Sequence, residues 1–203
     1  NASIQANFII NTYQLTVGTD GTAGASTTPD GTISVDHGVS TNISATTPAG
    51  YSFDSWTVTS GTASIADDTD PTTTVTLTSG NASIEANFVL STYQLSVDTD
   101  GTSGSSTTPS GTVTVEHGVG ENITATPPTG YSFDGWTVTS GTANFADAAD
   151  PTTTVTLTSG NASIQANFII NTYQLAVGTD GTAGASTNPT GTITVEHGVS
   201  TNI

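Results

Sequence analysis

Short runs in which apolar and polar residues alternate are the main pattern along the chain. In Tyr93-Gln-Leu-Ser-Val, the residues Tyr93, Leu95 and Val97 share one face of an extended strand, because successive side chains of a strand point to opposite sides. The same alternation recurs in residues 112–116 and 162–170, and no stretch has sustained helical periodicity. Short strands with turn residues about every 8–12 positions predict an all-β fold, an antiparallel sandwich or an open barrel.

The last two alternating runs of each repeating unit flank a short turn-like segment. Residues 154–158 and 162–170 are separated by Ser159-Gly160-Asn161, whose composition is typical of a turn. Two alternating runs joined by a few residues that include Gly are typical of a hairpin. We therefore predict that these two strands pair with each other.

The whole pattern repeats with a period of 80 residues. The run Asn1-Ala-Ser-Ile-Gln-Ala-Asn-Phe returns from Asn81, with Glu in place of Gln, and again unchanged from Asn161. Residues 12–91 and 92–171 align without insertion or deletion, differ at 22 positions and share the other 58. Such self-similarity indicates an array of structural modules.

The repeat predicts where the modules begin and end. Residues 12–91 and 92–171 are each expected to form a complete module. Residues 1–11 match the end of a module and are expected to be the final strand of a preceding one, while residues 172–203 match the first part of a following one. We interpret the chain as a window on a longer array, in which neighbouring modules stabilise one another at their junctions.

Each module carries one cluster of aromatic residues. Tyr131 and Phe133 have one strand parity, and Trp136 and Val138 have the other. A bulge in the two residues between Phe133 and Trp136 would bring all four to the same side. We expect Trp136 and its counterpart Trp56 to be core residues.

The charge of the chain excludes several classes of partner. The 203 residues include no Lys or Arg, against 17 Asp and Glu, which gives a formal charge of −17. Nucleic acid binding depends on cationic side chains that neutralise phosphates, so the sequence predicts none. Binding to an anionic membrane surface fails for the same reason. No apolar run approaches the roughly 20 residues that span a membrane, and the lack of Cys excludes disulfides.

The same charge predicts how chains behave beside one another. Chains of like charge are expected to stay dispersed in monovalent salt, and to bundle when Ca²⁺ bridges their carboxylates or when acid neutralises them. Because crowded carboxylates repel one another, some of them are expected to have raised pKa values.

Three histidines are the residues best suited to acid–base chemistry near neutral pH. His37, His117 and His197 each lie in the sequence (Asp/Glu)-His-Gly-Val, one for each module. The favoured interpretation is a turn residue, and the alternative is a metal pair with the preceding acid. No Cys, basic residue or clustered acid–base pair accompanies them, so the sequence predicts no enzyme.

Acidic loop residues are the candidates for a metal site. Ca²⁺ takes 6–8 oxygen ligands, which aspartates often supply. The clusters are less dense than a dedicated Ca²⁺ loop, so solvated carboxylates are the favoured interpretation and Ca²⁺ binding is the alternative. The candidate residues are Asp67, Asp70, Asp147, Asp150, Asp98 and Asp100.

Glycosylation sequons recur with the repeat. An Asn-x-Ser/Thr sequence can carry a glycan where an archaeal or eukaryotic cell exports the protein. The candidate sites are Asn42, Asn81, Asn122 and Asn161.

Three motifs in order resemble the divergent InlB-type B-repeat family of bacteria and archaea. They are Tyr93-Gln-Leu-Ser-Val, then Gly130-Tyr-Ser-Phe-Asp-Gly-Trp136, and a closing Ala166-Asn-Phe168. The resemblance covers the whole chain. It implies a small, mainly β domain, β-grasp-like in the better-known members, strung in tandem on large secreted or cell-surface proteins. It implies spacing or weak adhesion as a role, and no chemistry.

The leading hypothesis is a rigid stalk or extracellular filament. Only Ser91-Thr92 separates the closing run of one module from the first run of the next, without a flexible Gly/Ser linker. The expected partners are neighbouring modules of the same chain and, in a fibre, identical chains. The alternative is an adhesin or carbohydrate-binding array, which would require Trp56, Trp136 or the nearby Tyr51 and Tyr131 to be exposed.

Overall fold

The computed structural model describes residues 2–203, and every regular element within that range is a β-strand. The all-β prediction is therefore confirmed. The residue contacts divide the chain into two compact units, Asn1–Ser91 and Thr92–Ile203. Within residues 2–203, no helix is long and apolar enough to cross a membrane.

The first unit contains one module of eight strands. They form two four-stranded sheets, with strand orders β3-β1-β8-β5 and β2-β4-β7-β6. The strands are β1 (Thr12–Thr19), β2 (Ser26–Thr28), β3 (Gly31–Asp36), β4 (Thr41–Thr46), β5 (Tyr51–Gly61), β6 (Ser64–Ile65), β7 (Thr72–Thr76) and β8 (Ala82–Leu90).

The second unit repeats this module and adds a hairpin. Its sheets have the orders β11-β9-β16-β13 and β10-β12-β15-β14, and the hairpin pairs β17 with β18. The strands are β9 (Thr92–Thr99), β10 (Ser106–Thr108), β11 (Gly111–Glu116), β12 (Gly120–Thr126), β13 (Tyr131–Ser140), β14 (Asn144–Phe145), β15 (Thr152–Thr156), β16 (Ala162–Ile170), β17 (Thr172–Val177) and β18 (Gly191–Glu196).

The core of each module lies between its two sheets. In the first module, Leu15 and Ile84 from one sheet join Ile43 and Val75 from the other in one buried cluster with Trp56. The alternating pattern places such residues on the inner face of each strand and most Thr and Ser on the outer face. Four threonines are buried instead: Thr27, Thr73, Thr107 and Thr153. Of the predicted forms, the structure is a sandwich.

One strand pair in each module is parallel. The first strand β1 pairs in parallel with the closing strand β8, from Leu15 opposite Ala82 to Thr19 opposite Ala86. The other strand pairs of the module are antiparallel, including β5 with β8. The closing strand therefore lies in the middle of its sheet, between the first strand and β5.

The predicted hairpin between residues 154–158 and 162–170 was wrong. Strand β15 belongs to one sheet and β16 to the other, so the chain crosses the sandwich between them. Leu157 is fully buried at the start of this crossing. At its end, the Asn161 Oδ1 accepts the backbone N–H of Gln94 across 2.9 Å, which holds the corner on the first strand of the module.

The predicted bulge is confirmed. The pairing of β13 with β16 shifts register between Phe133 and Gly135, and Trp136 beyond the shift is 4 % exposed. Val138 shares the inward side, since it pairs with the buried Ile164, yet it remains 39 % exposed.

The segment before the first module forms no strand. Asn1 lies outside the described residues, and residues 2–11 have no regular structure, with Ile4 and Phe8 almost fully exposed. The matching strand β16 pairs with β9 and β13, which precede it in the chain. The assignment of residues 1–11 to the final strand of a preceding module stays a prediction.

Candidate functional site

The tryptophans are core residues, as expected. Trp56 and Trp136 are 2 % and 4 % exposed. The Trp136 Nε1 donates a hydrogen bond to the Asp150 backbone oxygen across 3.2 Å, so its one polar atom is also satisfied. Phe133 packs beside it at 5.8 Å between ring centroids, and Phe145 stacks on it at 6.4 Å and 22°.

The histidines lie in turns and pair with a tyrosine. The Tyr93 hydroxyl and the His117 Nδ1 are 3.2 Å apart, with ring centroids at 5.9 Å. Tyr13 and His37 repeat the pair at 3.3 Å, and Tyr173 repeats it with its own histidine at 3.4 Å. This agrees with the interpretation of His as a turn residue. No group of three or more His, Asp or Glu in residues 2–203 is placed to hold a metal.

The Asp67 loop uses its carboxylates to form turns. The Asp67 Oδ1 accepts both the backbone N–H and the hydroxyl of Thr69, across 2.9 and 2.8 Å. The Asp70 Oδ1 accepts the backbone N–H of Thr72 across 2.8 Å. These are Asx turns, in which a side chain folds its own backbone. The hydrogen bonds from Thr69 lower the pKa of Asp67.

The matching loop of the second module is built in the same way. The Asp147 Oδ1 accepts the backbone N–H of Ala149, and the Asp150 Oδ1 accepts that of Thr152, each across 2.8 Å. The Asp98 Oδ2 accepts a hydrogen bond of 3.4 Å from the Ser96 hydroxyl, which is long and weak. The arrangement therefore supplies turn-forming carboxylates. Ca²⁺ binding by these residues stays a prediction.

Asp100 has a structural role that the sequence reasoning missed. One of its oxygens accepts the Thr102 N–H across 2.9 Å, and the other accepts the Phe168 N–H from the closing strand across 2.9 Å. Burial raises the pKa of the Asp100 carboxyl, but the hydrogen bonds from Thr102 and Phe168 outweigh burial and lower it. Asp20 has the same arrangement and the same direction of shift. The repeated Thr-Asp-Gly sequence was the available signal.

Four aspartates have pKa values shifted in the direction opposite to the rise expected for crowded carboxylates. The pKa values of Asp20, Asp67, Asp100 and Asp180 are all lowered. Each of these carboxylates accepts hydrogen bonds from backbone N–H or hydroxyl groups close in the fold, and such bonds favour the charged form. Local hydrogen bonding therefore outweighs the opposing effect of burial at these four positions.

The four sequon asparagines are exposed, and two of them also hold the fold together. The Asn81 Oδ1 accepts the Gln14 N–H across 2.9 Å, as Asn161 does in the second module. Asn42 and Asn122 lie on the outer faces of β4 and β12. Their glycosylation stays a prediction.

The second unit shows how one module connects to the next. Asn171 is the single residue between β16 and β17. Its backbone N–H donates to the Gly130 oxygen, and its oxygen accepts the His197 N–H, each across 2.8 Å. Its side-chain Oδ1 accepts the Ser132 hydroxyl across 2.6 Å. One residue thus binds both the preceding module and the hairpin that follows.

The fold and these contacts define the chain as a tandem array of small β-sandwich modules whose polar residues form turns and hydrogen bonds that hold the strands together. A family model described as the divergent InlB B-repeat domain matches residues 13–92 and 93–172. The chain therefore belongs to the divergent InlB B-repeat family, as its motifs indicated. Repeat regions of this kind are associated with surface or extracellular proteins. Comparison with curated proteins and with solved structures found no match.

Proposed function

We propose that the chain is a rigid, non-catalytic stalk or filament segment of a secreted or cell-surface protein. The observation that carries the proposal is the one-residue connection at Asn171, hydrogen-bonded on both sides. A connection of this kind leaves little freedom for bending, whereas a Gly/Ser linker would behave as a flexible coil. Tandem modules joined in this way extend a chain by a fixed step.

The use of the polar residues supports the same proposal. The Asp67 and Asp147 carboxylates form turns, Asp100 holds the closing strand, and the histidines pair with tyrosines. Each of these side chains therefore makes a contact that stabilises the fold. The chain's partners in this proposal are its own neighbouring modules and, in a fibre, identical chains.

The carbohydrate-binding alternative depended on exposed aromatic rings. Trp56 and Trp136 are buried, and the Trp136 Nε1 already donates to a backbone oxygen. A sugar-stacking platform would need the face of such a ring to be open to solvent. Tyr51 and Tyr131 are partly buried, and the burial of both tryptophans favours the structural role.

Small-angle scattering on the 203-residue chain tests the proposal. Four Gly residues inserted after Ser91 should broaden the distribution of interatomic distances, because a flexible linker replaces a one-residue connection. The same four Gly inserted after Ser159, in the exposed segment between β15 and β16 of one module, are the control for added length. A wild-type chain already as flexible as the Ser91 insertion would contradict the rigid stalk.

A further inference from the structure

Gly130 and His197 make a close contact between a module and the hairpin that follows it. Gly130 is buried immediately before β13, and an added Cβ would overlap the His197 ring, lying 2.6 Å from Cγ and 2.7 Å from Nε2. Real Cβ atoms essentially never approach another heavy atom so closely. The edge of the imidazole therefore occupies the space that any side chain larger than hydrogen would need.

The histidine ring is held in this position from two sides. The Tyr173 hydroxyl lies 3.4 Å from the His197 Nδ1, and the ring centroids are 6.0 Å apart. The His197 N–H donates to the Asn171 oxygen, while the Asn171 N–H donates to Gly130. With Nδ1 directed to the tyrosine, the Cδ2–Nε2 edge faces the glycine. The backbone hydrogen bonds at Asn171 and the contact with the Tyr173 hydroxyl thus both place the Cδ2–Nε2 edge of His197 against Gly130.

We propose that this histidine is the docking residue of the module junction and that Gly130 is its seat, so that the two together fix the orientation of each added module. The inference rests on the proposed stalk function and names the interface that would make the stalk stiff. The partner that fits the seat is the His-Gly turn of the next module in the same chain. The contact is an interaction surface between modules, and no ligand takes part.

The glycine and the histidine of this contact come from different parts of the 80-residue repeat. A module carries a seat glycine before its aromatic strand, at Gly50 or Gly130, and a histidine in its own turn, at His37 or His117. An interface between two different surfaces of the same unit is heterologous, and it propagates into an open chain instead of closing on itself. This is the symmetry that a linear array of repeated modules requires.

Spin-label distances within the second unit test the proposal on the full chain. The sequence has no Cys, so Thr158→Cys and Thr190→Cys, both at exposed positions, give one label on the module and one on the hairpin. The wild-type distance distribution should be a single narrow peak. Gly130→Ala should broaden it, because the added methyl group displaces the imidazole, and His197→Ala should broaden it by removing the ring.

Gly111→Ala is the matched control. Gly111 has a φ of +78°, close to the +86° of Gly130, but an added Cβ at Gly111 meets no atom within 4 Å. Both substitutions therefore strain the backbone in the left-handed region, and only one of them meets the histidine. Gly111→Ala should leave the distance distribution narrow, and circular dichroism should show that all variants keep their sheets.

The double variant Gly130→Ala/His197→Ala separates a direct contact from general damage. If the methyl group acts by displacing the ring, the double variant should be no broader than His197→Ala alone, which is strong non-additivity. If the peak is narrow in the wild type and stays narrow in Gly130→Ala, the proposed role of Gly130 and His197 is wrong, while the rigid stalk is not contradicted. A broad distribution in the wild type overturns both.

Discussion

Asp100 and Phe168 are 68 residues apart in sequence, yet the Asp100 Oδ2 accepts the Phe168 backbone N–H across 2.9 Å. The Asp100 N–H in turn donates to the Ala166 oxygen across 2.9 Å. Asp20 holds the closing strand of the first module in the same way. In each complete module, the turn after the first strand is thus bonded to the closing strand by main chain and side chain together.

Asp100→Ala should destabilise the second module. The substitution leaves the Phe168 N–H without its acceptor and removes a charged hydrogen bond, which should lower the free energy of unfolding by about 1 kcal/mol at this largely exposed site. Urea unfolding monitored by Trp136 fluorescence in a Trp56→Phe background measures the loss.

The matched control for this prediction is Asp98→Ala. It removes the same charge two residues earlier, where the carboxylate accepts the long 3.4 Å hydrogen bond from the Ser96 hydroxyl. Its effect on unfolding should be small. Equal losses for Asp98→Ala and Asp100→Ala would mean that net charge, and not the bond to Phe168, explains the change.

The lowered pKa of Asp100 predicts the direction of a pH dependence. A carboxyl with a lower pKa in the folded state contributes its stability fully above the unfolded pKa, about 3.9, and loses it as the pH falls through the folded value. The difference in unfolding free energy between wild type and Asp100→Ala should therefore shrink from about pH 6 to about pH 3. Urea titrations of both proteins measure it, and a difference that grows on acidification would contradict the lowered pKa.

Trp136→Ala should cost about 3–5 kcal/mol of stability, the usual range for a large buried aromatic. The ring contacts Phe133 and Phe145, and both contacts would be lost together with the hydrogen bond to the Asp150 oxygen. Val138→Ala, on the same strand but 39 % exposed, should cost much less. Chemical unfolding compares the two, and a Trp136 emission maximum near that of free tryptophan in the folded protein would refute the burial.

Calcium should bundle the chains. With 17 acidic side chains and no Lys or Arg, parallel chains repel one another over a screening length of about 8 Å at physiological ionic strength. Ca²⁺ can bridge carboxylates of two chains, whereas Mg²⁺ gives up its water reluctantly and should bridge them less. Light scattering at pH 7 should therefore rise with millimolar Ca²⁺, and less with Mg²⁺. Bundling in monovalent salt alone would show that specific lateral contacts overcome the charge.

The features that depend on neighbouring residues were predictable from the sequence. Alternation around Leu95 and Val97 predicted a strand with one buried face, and the change of parity between Phe133 and Trp136 predicted the bulge. Both follow from the two-residue period of a strand, which any short window of sequence reveals.

The features that depend on distant residues were not predictable in this way. The closing strand pairs with a strand far away in the sequence, since Ala162 lies opposite Leu95, 67 residues earlier. Local turn composition at Ser159-Gly160-Asn161 favoured a hairpin instead, because it cannot distinguish a reversal within a sheet from a crossing between two sheets. The hydrogen bond from the Phe168 N–H to Asp100 depends on the parallel pairing of the closing strand with the first strand of the module.

The parallel pairing of β1 with β8 also determines how a module would bear tension. These are the first and last strands of the module, and they lie side by side from Leu15 opposite Ala82 to Thr19 opposite Ala86. Pulling on the two ends of the module directs opposite forces along adjacent strands, so the hydrogen bonds between them are loaded in shear and must yield together. Single-molecule stretching would measure this resistance. Unfolding of each 80-residue module at low force would contradict the prediction. An array of such modules is expected to act as a tether that holds its length under load.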